Sequence, residues 1–126
     1  MNAAAAREPF DAVFTPTLVL DVLGDHVGAA NGITARDLTR QIAGVASASG
    51  ERRLRKTIET LREAGHRIGG LPRAGYFLAD SDAELVETCD FLYARAMTSL
   101  RQIAVLQRVA LPDLWGQLRL RLEQTP

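Results

Sequence analysis

His26, His66 and Cys89 hold most of the nucleophilic and metal-binding potential of this sequence. They lie far apart, at none of the short spacings that build a zinc or redox site. A Cys/His pair would also need donors for an oxyanion, and no motif locates them. His66 is expected to cap a strand or face solvent. Cys89 sits on an apolar helical stripe and is expected to be buried as a small hydrophobe. Gly69-Gly70 lacks the Gly-x-x-x-x-Gly-Lys-Ser/Thr pattern and the following helix of a phosphate loop. Asp80, Asp82 and Glu84 cluster at a helix start, where the positive end of the dipole accounts for them. No catalytic group, cofactor or metal is expected.

What remains is charge. The chain carries 15 Lys/Arg and 15 Asp/Glu, a net charge of zero. The partition is uneven. Between Arg36 and Gly75 stand nine basic residues (Arg36, Arg40, Arg52, Arg53, Arg55, Lys56, Arg62, Arg67, Arg73) and four acids, or +5. The remainder has six basic and eleven acidic residues, or −5. One basic face and one acidic body are expected, and a basic face suits a polyanion.

A 126-residue chain is normally one domain with a small core. Its 47% hydrophobic and 24% charged residues are ordinary for a folded protein. The apolar runs are too short to span a bilayer. MNAAAAREPF lacks the basic start and apolar stretch of a secretory signal, so residues 1–12 read as a loose lead. One cysteine excludes an internal disulfide framework. A cytoplasmic protein without membrane contact is expected.

The elements that must position the charges follow from periodicity. Thr15-Pro16 opens a first helix, with Leu18, Val19, Val22, Leu23 and Val27 at helical spacing. Gly28 and Asn31-Gly32 end it. Thr34 caps a second helix with Leu38 and Ile42 inward and Arg36 and Arg40 outward. Residues 44–48 form a small-residue turn. Ser49 is expected to cap a third helix that stops near Ala64-Gly65. Leu54, Ile58 and Leu61 make its apolar stripe, opposite Arg52, Lys56, Glu59 and Glu63, with Arg53 flanking. Cations near a helix start oppose the macrodipole, so an external anion is expected to compensate them.

His66-Arg67-Ile68 and Tyr76-Phe77-Leu78 read as two short strands around a tip at residues 69–75, with Arg73 projecting. Tyr76 and Leu78 share the expected core face. Residues 31–33 are a candidate third strand. Ser81-Asp82-Ala83-Glu84 caps a long helix, whose stripe runs through Leu85, Cys89, Leu92, Ala96, Leu100, Ile103 and Gln107. Leu111-Pro112-Asp113 breaks it before a last segment with Leu114, Trp115, Leu118 and Leu122.

The order helix, turn, helix, hairpin, with LRKTIETLREAGHRI followed by PRAGYFL, resembles winged helix-turn-helix DNA-binding domains. The likeness covers residues 31–79. It is nearest to the N-terminal domain of biotin ligase/repressors, and the wing is similar to that of response-regulator output domains. Neither a biotin-ligase catalytic domain nor a receiver domain is expected within these 126 residues. The small winged helix followed by a long C-terminal helix resembles compact proteins carried by phages and other mobile elements. The resemblance implies a mainly α (α+β) fold with a winged helix-turn-helix at 13–79, and the helical pattern beyond it reads as a C-terminal extension at 80–126 expected to serve in part as core and in part as a dimer interface. It also implies a recognition helix in the major groove of double-stranded DNA, with Arg52, Arg53 and Lys56 reaching bases or phosphates. Ser49, Arg36 and Arg40 would hold the backbone, and Arg67 and Arg73 the adjacent strand or minor groove. The function expected is transcriptional regulation by a homodimer joined through Leu92, Ala96, Leu100, Ile103 and Trp115. The alternative is a protein-interaction module on the same scaffold, such as an anti-CRISPR-like inhibitor of a host defence complex.

Overall fold

In the computed structural model, which describes residues 13–108, four α-helices and one antiparallel hairpin are present. The chain divides into two units, Met1–Thr88 and Cys89–Pro126.

Helix α1 spans Pro16–Leu23. Thr15 caps it, its hydroxyl accepting from the Leu18 N–H at 3.2 Å. Val19 and Leu23, four apart, are fully buried. The helix ends at Gly24, short of the expected Val27. The cause is competition for backbone groups. His26 C=O accepts from Leu78 N–H at 2.8 Å, and Gly28 N–H donates to Leu78 C=O at 2.8 Å. Val27 is therefore extended beside the hairpin instead of helical.

After a 3-10 turn at Ala29–Asn31, the candidate third strand reduces to one bridge between Ile33 and Tyr76. Its two bonds are 2.9 and 2.7 Å long. Helix α2 spans Ala35–Ala43, capped by Thr34 as expected, with Leu38 fully buried.

Helix α3 spans Ala48–Glu63. Ser47, not Ser49, is its cap, accepting from Gly50 N–H at 3.0 Å. The helix thus starts before the expected residue, and Glu51 lies in its first turn. Arg52 and Lys56 sit deeper, where the macrodipole penalty has mostly decayed. The helix dipole therefore calls for no external anion at Arg52 and Lys56. Leu54, Ile58 and Leu61 are buried as expected and join Phe14, Val19, Leu23, Leu38 and Ile68 in one core. Thr57 Oγ1 ties α3 to the Phe14 carbonyl at 3.2 Å.

Strands β1 (Ile68–Leu71) and β2 (Gly75–Leu78) pair from Ile68↔Leu78 to Leu71↔Gly75. The tip is shorter than expected because Gly69, Gly70 and Leu71 belong to β1. A side chain on Gly69 would collide with the Phe77 ring, so glycine there allows the ring to lie flat across the strand. Gly75 (φ +79°) turns the chain where any Cβ would strike the Ile33 carbonyl. Tyr76 and Leu78 pack against the core as expected. Phe77, facing the other side, is fully buried, so the hairpin has two covered faces.

Helix α4 spans Asp82–Gln107, 26 residues. It is about 39 Å long at 1.5 Å per residue. Ser81 Oγ accepts from Glu84 N–H at 3.3 Å, as the capping signature predicts. Thr88 Oγ1 accepts from Gly70 N–H at 3.2 Å, which fixes the start of α4 on the hairpin. The expected break at Leu111-Pro112-Asp113 and the segment carrying Trp115 lie outside the described residues.

Candidate nucleic-acid interface

Helix α3 presents its cations because its buried side is fixed. With Leu54, Ile58 and Leu61 in the core, 100° per residue turns Arg52, Lys56, Glu59 and Glu63 to the opposite side. All four are exposed. Arg52 and Arg55 make no ion pair among the described residues. Lys56 Nζ lies 4.0 Å from Glu59, with both side chains more than half exposed. Such a contact holds the ammonium weakly. Ser49 is exposed in the first turn, 3.4 Å from the Ser47 hydroxyl.

Helix α2 adds Arg36, exposed and without an ion pair among the described residues, and Arg40, 3.4 Å from Asp37. The exposed cations are thus Arg36 and Arg40 on α2, and Arg52, Arg55 and Lys56 on the first half of α3. The outward side of α3 changes sign along its length, since Glu59 and Glu63 follow.

Other expected site residues are placed differently. Arg53 is half-buried with its Nε enclosed, so it stands on the flank and not on the open side. Arg62 donates through Nε to the Ile68 carbonyl at 2.9 Å and serves the fold. Arg73 does not project freely from the hairpin tip. Its guanidinium meets the Glu87 carboxylate at 2.6 Å. Arg67 likewise meets Asp82 at 2.6 Å. Both hairpin arginines are paired with the first two turns of α4.

Arg55 was not among the expected contacts. Its angular position, 60° from Arg52 on a helical wheel, could have marked it. Asp82 and Glu87 as arginine partners had no signal, because they lie 15 and 14 residues away without any local pattern.

Glu84 is held by backbone donors. The N–H groups of Ala29 and Asp80 each donate to its carboxylate at 2.7 Å. The Ala29 bond, then the Asp80 bond, hold its pKa below the ordinary carboxylate range, with smaller help from Ser81 and Arg73 and against the upward push of burial. This carboxylate fastens the start of α4 to the 3-10 turn.

His26 Nδ1 lies 2.8 Å from the Asn31 carbonyl, and His66 is exposed. Among the described residues no three His, Cys, Asp or Glu group as metal ligands. Cys89 is exposed, contrary to expectation. The reason is that the apolar stripe of α4 is open there: Leu92 and Ile103 are 44% and 41% exposed, and Ala96 is also exposed. Leu100 is half-buried. No described helix is long and apolar enough to cross a membrane.

Compared with protein families, curated proteins and solved structures, the chain finds no match.

Proposed function

We propose that the chain is a winged helix-turn-helix protein that binds double-stranded DNA, with transcriptional regulation as its role. Helix α3 serves as the recognition helix and β1–β2 as the wing. The observation that carries the reading is the open cationic first half of α3, where Arg52 and Lys56 stand exposed opposite a fully buried stripe and Arg55 stands exposed on its flank. Arginine and lysine so placed reach phosphates and guanine edges in a major groove. Arg36, Arg40 and Ser49 supply backbone contacts.

A second copy suits the open side of α4. Leu92, Ala96 and Ile103 fall within about 40° of one another on the helical wheel, and Arg95, about 60° from Leu92, borders that stripe. A homodimer would present two recognition helices to a palindromic site. In sedimentation, Leu92→Glu should convert a dimer to a monomer; a wild-type monomer at high concentration removes this part of the proposal.

The alternative is a protein-interaction module that inhibits a host complex. It draws support from Glu59 and Glu63 on the same side of α3 and from the paired wing arginines. A mobility shift with random duplex at low salt separates the two. Binding at micromolar protein or below supports the DNA reading. No shift there, with selective capture of one host protein, supports the alternative.

A further inference from the structure

We propose that the first two turns of α4 act as an internal stand-in for a nucleic-acid backbone, holding the wing arginines until phosphates displace them. The proposal rests on the DNA reading and adds a regulatory contact to it.

Two kinds of contact join α4 to the wing region. The first kind anchors the helix. Thr88, 4% exposed, accepts from Gly70 N–H, and Glu84 accepts from the Ala29 and Asp80 N–H groups. None of these bonds uses an arginine. The second kind carries charge. Arg67 meets Asp82 just before β1, and Arg73 meets Glu87 at the tip. Asp82 and Arg73 have side chains 90% and 62% exposed, so both pairs are open to water.

The anchors hold α4 in place without the ion pairs. Freeing the arginines therefore needs only side-chain rotation. Exposed ion pairs are weak, whereas arginine meets phosphate through two parallel, charge-assisted bonds. A strongly seated duplex can take the arginines from the carboxylates. A loosely held one cannot, so the pairs keep the wing out of non-specific complexes and lower affinity for random DNA.

The test is binding of a random-sequence duplex, followed by fluorescence anisotropy across a salt series. Asp82→Asn/Glu87→Gln frees both arginines and leaves Thr88 and Glu84 untouched. It should bind roughly tenfold or more tightly, with a log–log salt slope steeper by about 2, since each phosphate contact adds about 0.9. Adding Arg67→Gln/Arg73→Gln to that variant should remove the gain; the same pair in the wild type should change random-duplex binding little. Glu87→Gln alone, which keeps the acids of the helix start, should give about half the slope change. A variant with Asp25→Asn/Asp90→Asn has the same net charge and should not reproduce the gain. If it does, net charge and not the clamp is responsible. If the wild type binds and the Asp82/Glu87 variant matches it in affinity and slope, the clamp is wrong and the DNA reading survives. If neither binds, both fall.

Discussion

Replacing Arg52 and Lys56 together by glutamine separates binding from folding. Arg52 has no ion pair among the described residues, and Lys56 has only a 4.0 Å contact to Glu59. Both side chains point away from Leu54, Ile58 and Leu61. Exposed substitutions of this kind change stability by about 0.5 kcal/mol or less. Binding should respond far more. A phosphate contact adds about 0.9 to the log–log salt slope, so it is worth about eightfold at about 0.1 M salt relative to 1 M. Two lost contacts should weaken duplex binding roughly 60-fold at about 0.1 M salt and flatten the slope by about 2. The five exposed cations of α2 and α3 put the wild-type slope at about −4 to −5. Anisotropy titrations at several salt concentrations measure both quantities, and a thermal melt verifies the fold. An unchanged slope with unchanged affinity would refute the assignment of this side of α3. An equal loss from Glu59→Gln/Glu63→Gln would refute it too, because those changes remove repulsion.

Three further outcomes follow from the geometry. Thr39 is fully buried, and its hydroxyl has no hydrogen-bond partner among the described residues, so Thr39→Val should raise unfolding stability by about 1 kcal/mol in a denaturant titration; a loss of that size would show that the hydroxyl is satisfied. Gly69→Ala should destabilise by about 1–3 kcal/mol, because the new methyl displaces the Phe77 ring; a neutral result would mean that the ring does not lie on the strand. The lowered pKa of Glu84 gives stability that is complete above the ordinary glutamate range and is lost as pH falls through the folded-state value. Glu84→Gln should therefore flatten the acid limb of a melting-temperature profile below about pH 4.3 and leave its shape near neutrality unchanged.

The helices were legible because their signals are local. Thr34, Ser81 and the Thr15-Pro16 step cap as residue types, and Leu54, Ile58 and Leu61 repeat at the helical period. Errors arose where distant backbone decides. Val27 continues an apolar helical pattern, yet the hairpin takes the carbonyl of His26 and the N–H of Gly28. Ser47 and Ser49 are equivalent as residue types, and the choice between them depends on the length of the turn from α2. Phe77 is buried because Gly69 lies opposite, a pairing visible only once the register is known. In the candidate site, Arg52 and Lys56 were readable from the wheel angle. Arg67 and Arg73 were not, since their carboxylates arrive on a helix that begins after the hairpin closes.

The most direct test is an amide NMR titration of the protein with a short duplex. The account predicts perturbations concentrated at residues 34–40 and 47–56, with the stretch from Glu59 to Glu63 changing less. The account is contradicted if no amide moves at concentrations where a non-specific duplex complex should form, or if the shifts gather on α4 and leave the start of α3 unmoved.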